Sequence, residues 1–211
     1  MLITEPYSEQ VKSWPKEGRH ILAQYDEDTI VVYQTYRPSI GNYAAEHGMF
    51  GGDFSYSRMS WIKPNFLWMM YRSGWGSKEG QEVTLALRIR RTFFDTLLSQ
   101  AVTSSWDRDQ FTTREEWSRA VNRSLVRLQW DPDHHPSGAK IERRAIQLGL
   151  RGEVLEAFGR RELLEVLDVS EFVAEQRALL ASVGVSGLVT PYERVYRPAE
   201  LAVATQLKLA N

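Results

Sequence analysis

Apolar and polar positions alternate without a break from Glu82 to Arg90, EVTLALRIR. Val83, Leu85, Leu87 and Ile89 fall on one side and Thr84, Ala86, Arg88 and Arg90 on the other, the period of a β-strand. A second run, Thr29 to Tyr36 (TIVVYQTY), is β-branched or aromatic on both alternating sides, which predicts a strand covered on both faces. Two polar tips, those of Tyr33 and Gln34, sit near its end and must either satisfy neighbouring backbone or face a ligand. Weaker alternation predicts strands at 58–62, 124–130, 145–150 and 163–168.

Helical signals lie between these runs. Pro38 opens and Gly48 closes a helix at 39–48, an amphipathic stretch covers 92–102, and Thr113 with Glu116 forms a capping box for another. Further helices are expected at 152–158, 170–181 and 198–209. Short strands and helices interleave without a regular βα repeat, which predicts an α+β fold: a single compact domain over 1–211, with a mixed or antiparallel central sheet flanked by helices.

The most biased stretch is Arg58–Gly80, RMSWIKPNFLWMMYRSGWGSKEG, which holds three of the seven tryptophans and four cations. Pro64 suits the first turn of a helix and Gly74 and Gly76 its end, so 65–73 reads as a short helix, apolar nearly all round and therefore buried. A core needs only Leu, Ile and Val, whereas Trp, Tyr, Arg and Lys bring polar atoms that need partners. Two readings stand: a core helix whose cations are solvated at its rim, or a pocket for an anion. The candidate lining is Arg58, Trp61, Lys63, Trp68, Arg72 and Lys78, with Tyr33, Gln34, Tyr36 and Arg37 from the preceding strand and Gln81 and Glu82 from the strand that follows.

Composition narrows the classes. The formal charge of −1 gives no global basic field, and the absence of cysteine removes disulfides, thiolate nucleophiles and sulfur-ligated metals. No apolar run approaches the roughly eighteen residues of a membrane span and the N-terminus lacks a signal-like apolar segment, so a cytoplasmic protein with no membrane partner is expected. Gly74, Gly76 and Gly80 match neither a dinucleotide fingerprint nor a P-loop. Asp131, Asp133, His134 and His135 have the chemistry of metal ligands, yet DPDHHPSG is also a polar turn and no second ligand pair follows; no metal is expected. Arg143, Arg144 and Arg151 could meet phosphate or simply be solvated.

The segments VYQTY, RMSWIKPNFLWMMYRSGWGSKEGQE and WDPDHHPSGAKIERRAIQLGLRGEVL resemble the domain-of-unknown-function family four-two-nine-one, over about 19–195. At the level of element order the chain also resembles the ADP-ribosyltransferase superfamily: a first strand with polar residues, a helix closed by glycine, a strand and helix, then a strand opening on Gln81 and Glu82. It departs in having no histidine or arginine on that first strand, although Arg37 is near, and no spacer between Gln81 and Glu82. That second resemblance implies a NAD-utilising transferase. Glu82 would stabilise a cationic ribosyl centre with Gln81 beside it, Tyr33, Tyr36 or Trp61 would stack nicotinamide, and Arg58, Lys63 or Arg72 would meet pyrophosphate; the acceptor, nucleic acid among the options, stays open. The other class is a non-catalytic module holding a nucleotide or single-stranded nucleic acid in the same groove. Glu82 discriminates, because catalysis needs it partly buried and facing the pocket.

Overall fold

A computed structural model describes residues 2–210. Its strands, in chain order, are β1 (Thr4–Pro6), β2 (Gly18–Arg19), β3 (Ile21–Ala23), β4 (Thr29–Tyr36), β5 (Ser60–Ile62), β6 (Val83–Arg90), β7 (Val102–Thr103), β8 (Val126–His134), β9 (Lys140–Leu150), β10 (Leu163–Asp168), β11 (Val189–Pro191) and β12 (Arg194–Tyr196). The helices are α1 (Tyr7–Gln10), α2 (Pro38–His47), α3 (Phe66–Ser73), α4 (Arg91–Gln100), α5 (Arg114–Arg123), α6 (Gly152–Ala157), α7 (Ser170–Ser182) and α8 (Leu201–Gln206). This is the α+β class expected, but the strands divide among four hydrogen-bonded sheets. Two dominate: antiparallel β10-β6-β4, and the mixed sheet β2-β9-β8-β7 with β5 paired on β9.

β4 and β6 run antiparallel from Thr29↔Arg90 to Tyr36↔Val83. Ile30 and Val32 of β4 and Leu85, Leu87 and Ile89 of β6 enter one apolar cluster with α4, β8 and β9, while Val31, Tyr33 and Ala86 enter a second with α3 and α7. β4 is thus covered on both faces, as its composition requires. β6 alternates as expected, with Val83, Leu85, Leu87 and Ile89 in the first cluster, and Thr84 and Ala86 on its other side are buried as well because α7 covers that side. Gly41 lets α2 lie against this sheet, since a Cβ there would meet the Val83 side chain at 2.4 Å.

Two predicted limits move. β8 continues through Asp131–His134, so only 135–138 turn, and β9 starts at Lys140 rather than 145. The ladder explains this, because Asp131↔Ala145 and Pro132↔Arg144 pair across it and a polar sequence gains register from its partner strand. The short strands β1, β2, β3, β7, β11 and β12, unseen in the sequence, are pinned by tertiary pairing.

A buried polar knot ties the chain ends to α3. Glu193, 2% exposed, accepts from the Phe66 N–H (2.6 Å) and Asn65 Nδ2 (3.0 Å) at the start of α3. Its own N–H donates to Gln10 Oε1 (2.8 Å), and its carbonyl accepts from Trp14 Nε1 (2.8 Å). Burial pushes the Glu193 carboxyl well above its ordinary range, while the Phe66 N–H opposes this. Glu193→Ala leaves two buried donors without acceptors, so it is expected to cost about 2–4 kcal/mol, read by urea denaturation. A loss under about 1 kcal/mol would show that the knot does not hold α3.

Candidate functional site

The two main sheets meet at one short bridge. Tyr33 N–H donates to the Lys63 carbonyl (2.7 Å), and Lys63 N–H donates back to the Tyr33 carbonyl (3.2 Å). β4, already paired with β6 on one edge, is thereby joined on the other to the chain leaving β5, which pairs with β9 through Trp61↔Gly149. Gly149 is required there, since a Cβ would sit 2.9 Å from the Trp61 ring. α3 follows at once, with Asn65 Oδ1 accepting from Trp68 N–H (2.7 Å) as N-cap and Gly74 closing it in the left-handed region. Pro64 therefore precedes the cap instead of occupying the first turn.

At this junction lies a cavity of about 460 Å³. Gln34, Thr35 and Tyr36 come from β4, Met59, Ser60, Trp61 and Lys63 from β5 and its flanks, Met69 and Arg72 from α3, Gln81 from the loop before β6, and Gln129 and Gln147 from β8 and β9. Its lining holds two cations and no carboxylate. Lys63 is 6% exposed, and neither it nor Arg72 forms a side-chain ion pair or hydrogen bond among the described residues. Burial, with the Arg72 charge second, lowers the Lys63 ammonium from 10.5 to about 8. Gln34 donates to Ser60 Oγ (2.8 Å) and the Trp61 carbonyl (3.1 Å), but its buried Oε1 has no partner. Tyr36 Oη and Ser60 Oγ share a hydrogen bond of 2.7 Å. The carboxylate whose charge acts on Lys63 is Asp131 on β8, whose oxygens accept from Gln129 Nε2 (2.8 Å) and Gln147 Nε2 (2.7 Å).

The cavity gathers Gln34, Tyr36, Trp61, Lys63, Arg72 and Gln81 from the residues singled out in the sequence. Others lie elsewhere. Arg58 and Arg37 line an adjoining cavity of about 330 Å³ that shares Tyr36, Met59 and Ser60, and Arg37 pairs with Asp53 (3.1 Å). Tyr33 is fully buried, edge-on to Phe66, and cannot stack a ligand. Trp68 is core, its ring stacked with Tyr71 and His134. Lys78 donates to the Arg72 carbonyl (2.6 Å), serving the end of α3. Glu82 is exposed, accepts from Gly80 N–H (2.8 Å) and is not part of the lining, so the carboxylate that was to face the pocket does not. Arg143 is taken by the buried Asp133 (2.7 Å) and Arg151 by the Ser124 carbonyl (2.7 Å), so neither is free for phosphate.

Asp131, Asp133 and His134 lie along β8 and His135 begins the turn after it, so the four do not converge. Among the described residues no group of three or more His, Asp or Glu side chains could hold a metal ion. His134 lies 3.4 Å from the Tyr71 ring, with both ring nitrogens buried and unpartnered, and burial lowers its pKa. Sequence reasoning missed Gln129 and Gln147. Their signal was present, a glutamine on the polar side of each alternating strand, but only the register Gln129↔Gln147 places them together.

The chain belongs to the family described as Domain of unknown function (DUF4291), whose profile matches residues 20–196. That description states no activity. No curated protein matches the chain. No helix among the described residues is long and apolar enough to cross a membrane.

A lysine with a lowered pKa beside a second cation is an activated amine. Treatment with pyridoxal phosphate and borohydride is expected to modify Lys63 first, with the rate rising through pH 8 as the ammonium loses its proton. Peptide mass mapping reads the position. Preferential labelling of Lys12 or Lys78 would contradict the site.

Proposed function

For this member of a family without a stated activity, we propose that the Lys63 cavity binds a phosphate-bearing nucleotide. The observation that carries it is the pair Lys63 and Arg72 in one cavity with no acid in the lining. Two like charges held together, one of them buried, destabilise the empty protein and are relieved by an anion. Phosphate accepts from both, as a point-charge contact from Lys63 and a forked one from Arg72. Trp61 offers an aromatic wall for a base, and the carbonyl oxygens of Gln34, Gln129 and Gln147 accept from amino or ribose hydroxyl groups. A cavity of about 460 Å³ holds one nucleotide.

NAD carries two nucleotide units, of which this cavity would take one. The transferase function implied by resemblance to ADP-ribosyltransferases rests on Glu82, however, and a solvated carboxylate outside the cavity has little leverage on a cationic centre inside it. Binding is therefore the function the geometry supports best.

The test is calorimetric titration with AMP, ADP, ATP and NAD, alongside nicotinamide release. Lys63→Met and Arg72→Met are each expected to weaken binding at least tenfold, about 1.4 kcal/mol or more, and Glu82→Gln to leave it unchanged. Affinity should fall as pH rises through about 8, and Lys63→Met should abolish that dependence. Absence of binding by all four ligands would overturn the proposal. Nicotinamide release that Glu82→Gln abolishes would replace it with the transferase.

A further inference from the structure

The β8–β9 ladder lines a cavity on each of its faces. Gln129 turns to the Lys63 cavity, whereas its neighbours Leu128 and Trp130 line a different cavity, of about 530 Å³. Its far wall is the segment 105–110 with Arg114 at the start of α5, and its floor is closed by α8 and the residues after it. We propose that this cavity is a second binding site, for a nucleotide unit: a planar base together with its phosphate, free or within a single strand.

Three features carry this. Arg108 and Arg114 both lie over the Trp106 ring, at 5.1 and 4.6 Å from its centroid, and Arg19 lies over Trp130 at 5.8 Å. None of the three guanidinium groups forms a side-chain ion pair or hydrogen bond among the described residues. Lys208 is held by Asp107 (2.7 Å) and Asp109 (2.5 Å), a group that leaves one negative charge against the three arginines. Three arginines with no ion pair among the described residues thus converge on two indoles, and both indole N–H groups are buried without an acceptor among those residues. Guanidinium forks match phosphate, and an indole face matches any base irrespective of sequence.

The wall is also built to persist without ligand. Trp117 Nε1 donates to the Thr103 carbonyl (2.9 Å), Gln110 Nε2 donates to the Gln206 carbonyl (2.8 Å), and Lys208 clamps both aspartates of the loop. The loop is a platform fixed at both ends. This site stands on residues that the Lys63 cavity does not share, so either can fail alone.

Fluorescence anisotropy with a labelled single-stranded oligonucleotide, and calorimetry with AMP on the Lys63→Met variant, in which the first cavity is weakened, test it on the full chain. Arg108 and Arg114 are exposed, so the double reversal R108E/R114E leaves the core intact. It is expected to weaken binding of the strand at least tenfold, while Lys63→Met leaves that binding unchanged. Affinity for the strand should also fall steeply with salt, since counterions are released from each phosphate contacted. A strand bound at least tenfold more tightly than AMP identifies single-stranded nucleic acid as the source; equal affinities identify the free nucleotide. Unchanged binding by R108E/R114E, or no binding of either probe, would overturn the site. For a readout within the loop, Trp106→Phe keeps an aromatic face and should retain most of the affinity, whereas Trp106→Leu should lose it; equal loss from both would refute stacking.

Discussion

The backbone bridge between Tyr33 and Lys63 is the constraint on which the site depends. β4 can pair fully with only one neighbour along its length, β6, and its other edge is closed at this point by two hydrogen bonds to the residue that follows β5. Those bonds fix the Lys63 backbone at a seam between two sheets. Adjacent residues of an extended chain point to opposite sides. Tyr33 therefore enters the core beneath α3 while Gln34 reaches the cavity. A lysine at a seam cannot extend into bulk water as a surface lysine does, and the low-dielectric surroundings follow from topology, not from any local motif.

The β8–β9 ladder acts as a partition. One face carries Gln129, Asp131 and Gln147 in a fixed hydrogen-bonded row, and the other carries Leu128 and Trp130. Asp131 is held by two amide donors rather than by Lys63, which keeps a negative charge near the lysine without neutralising it. That charge opposes the lowering of the Lys63 pKa, but burial and Arg72 outweigh it. A direct Lys63–Asp131 pair would have cancelled the attraction for an anion, so the glutamines preserve the cavity's charge by occupying the carboxylate.

The sequence disclosed much of the fold and about half of the cavity, for reasons specific to each element. Long elements with one period were legible: β4, β6, α2, α3 and α7 lie within a few residues of expectation because pattern, proline and glycine agreed. The continuation of β8 through DPDH was hidden, since turn-forming residues were recruited into a ladder by β9. Lys63, Trp61 and Arg72 stood out because cations and indoles were crowded into a short helix-bearing segment. Trp68 and Tyr33 carried the same composition and are core, because side-chain direction is set by helix phase and strand register. Glu82 was misplaced for a related reason: it precedes β6 by one residue, so no ladder directs its carboxylate, and the nearest donor, Gly80 N–H, takes it. Arg108, Arg114, Trp106 and Trp130 formed no recognisable motif because helix and strand bring them together across more than one loop.

The Lys63 pKa links binding to stability. The ordinary value is 10.5 and the folded one about 8, so the native state disfavours the ammonium. The corresponding contribution to stability is complete above 10.5 and is lost as pH falls through 8, a difference on the order of 3 kcal/mol. Near neutrality the empty protein therefore carries a charged, buried lysine facing Arg72 at a cost in stability. An anion seated between them restores the preference for the ammonium, so binding near pH 8 takes up a proton. The same destabilisation that a folded core would select against becomes affinity when a phosphate arrives, and this accounts for a sequence that keeps Lys63 at the seam of its two sheets where an apolar residue would pack more stably.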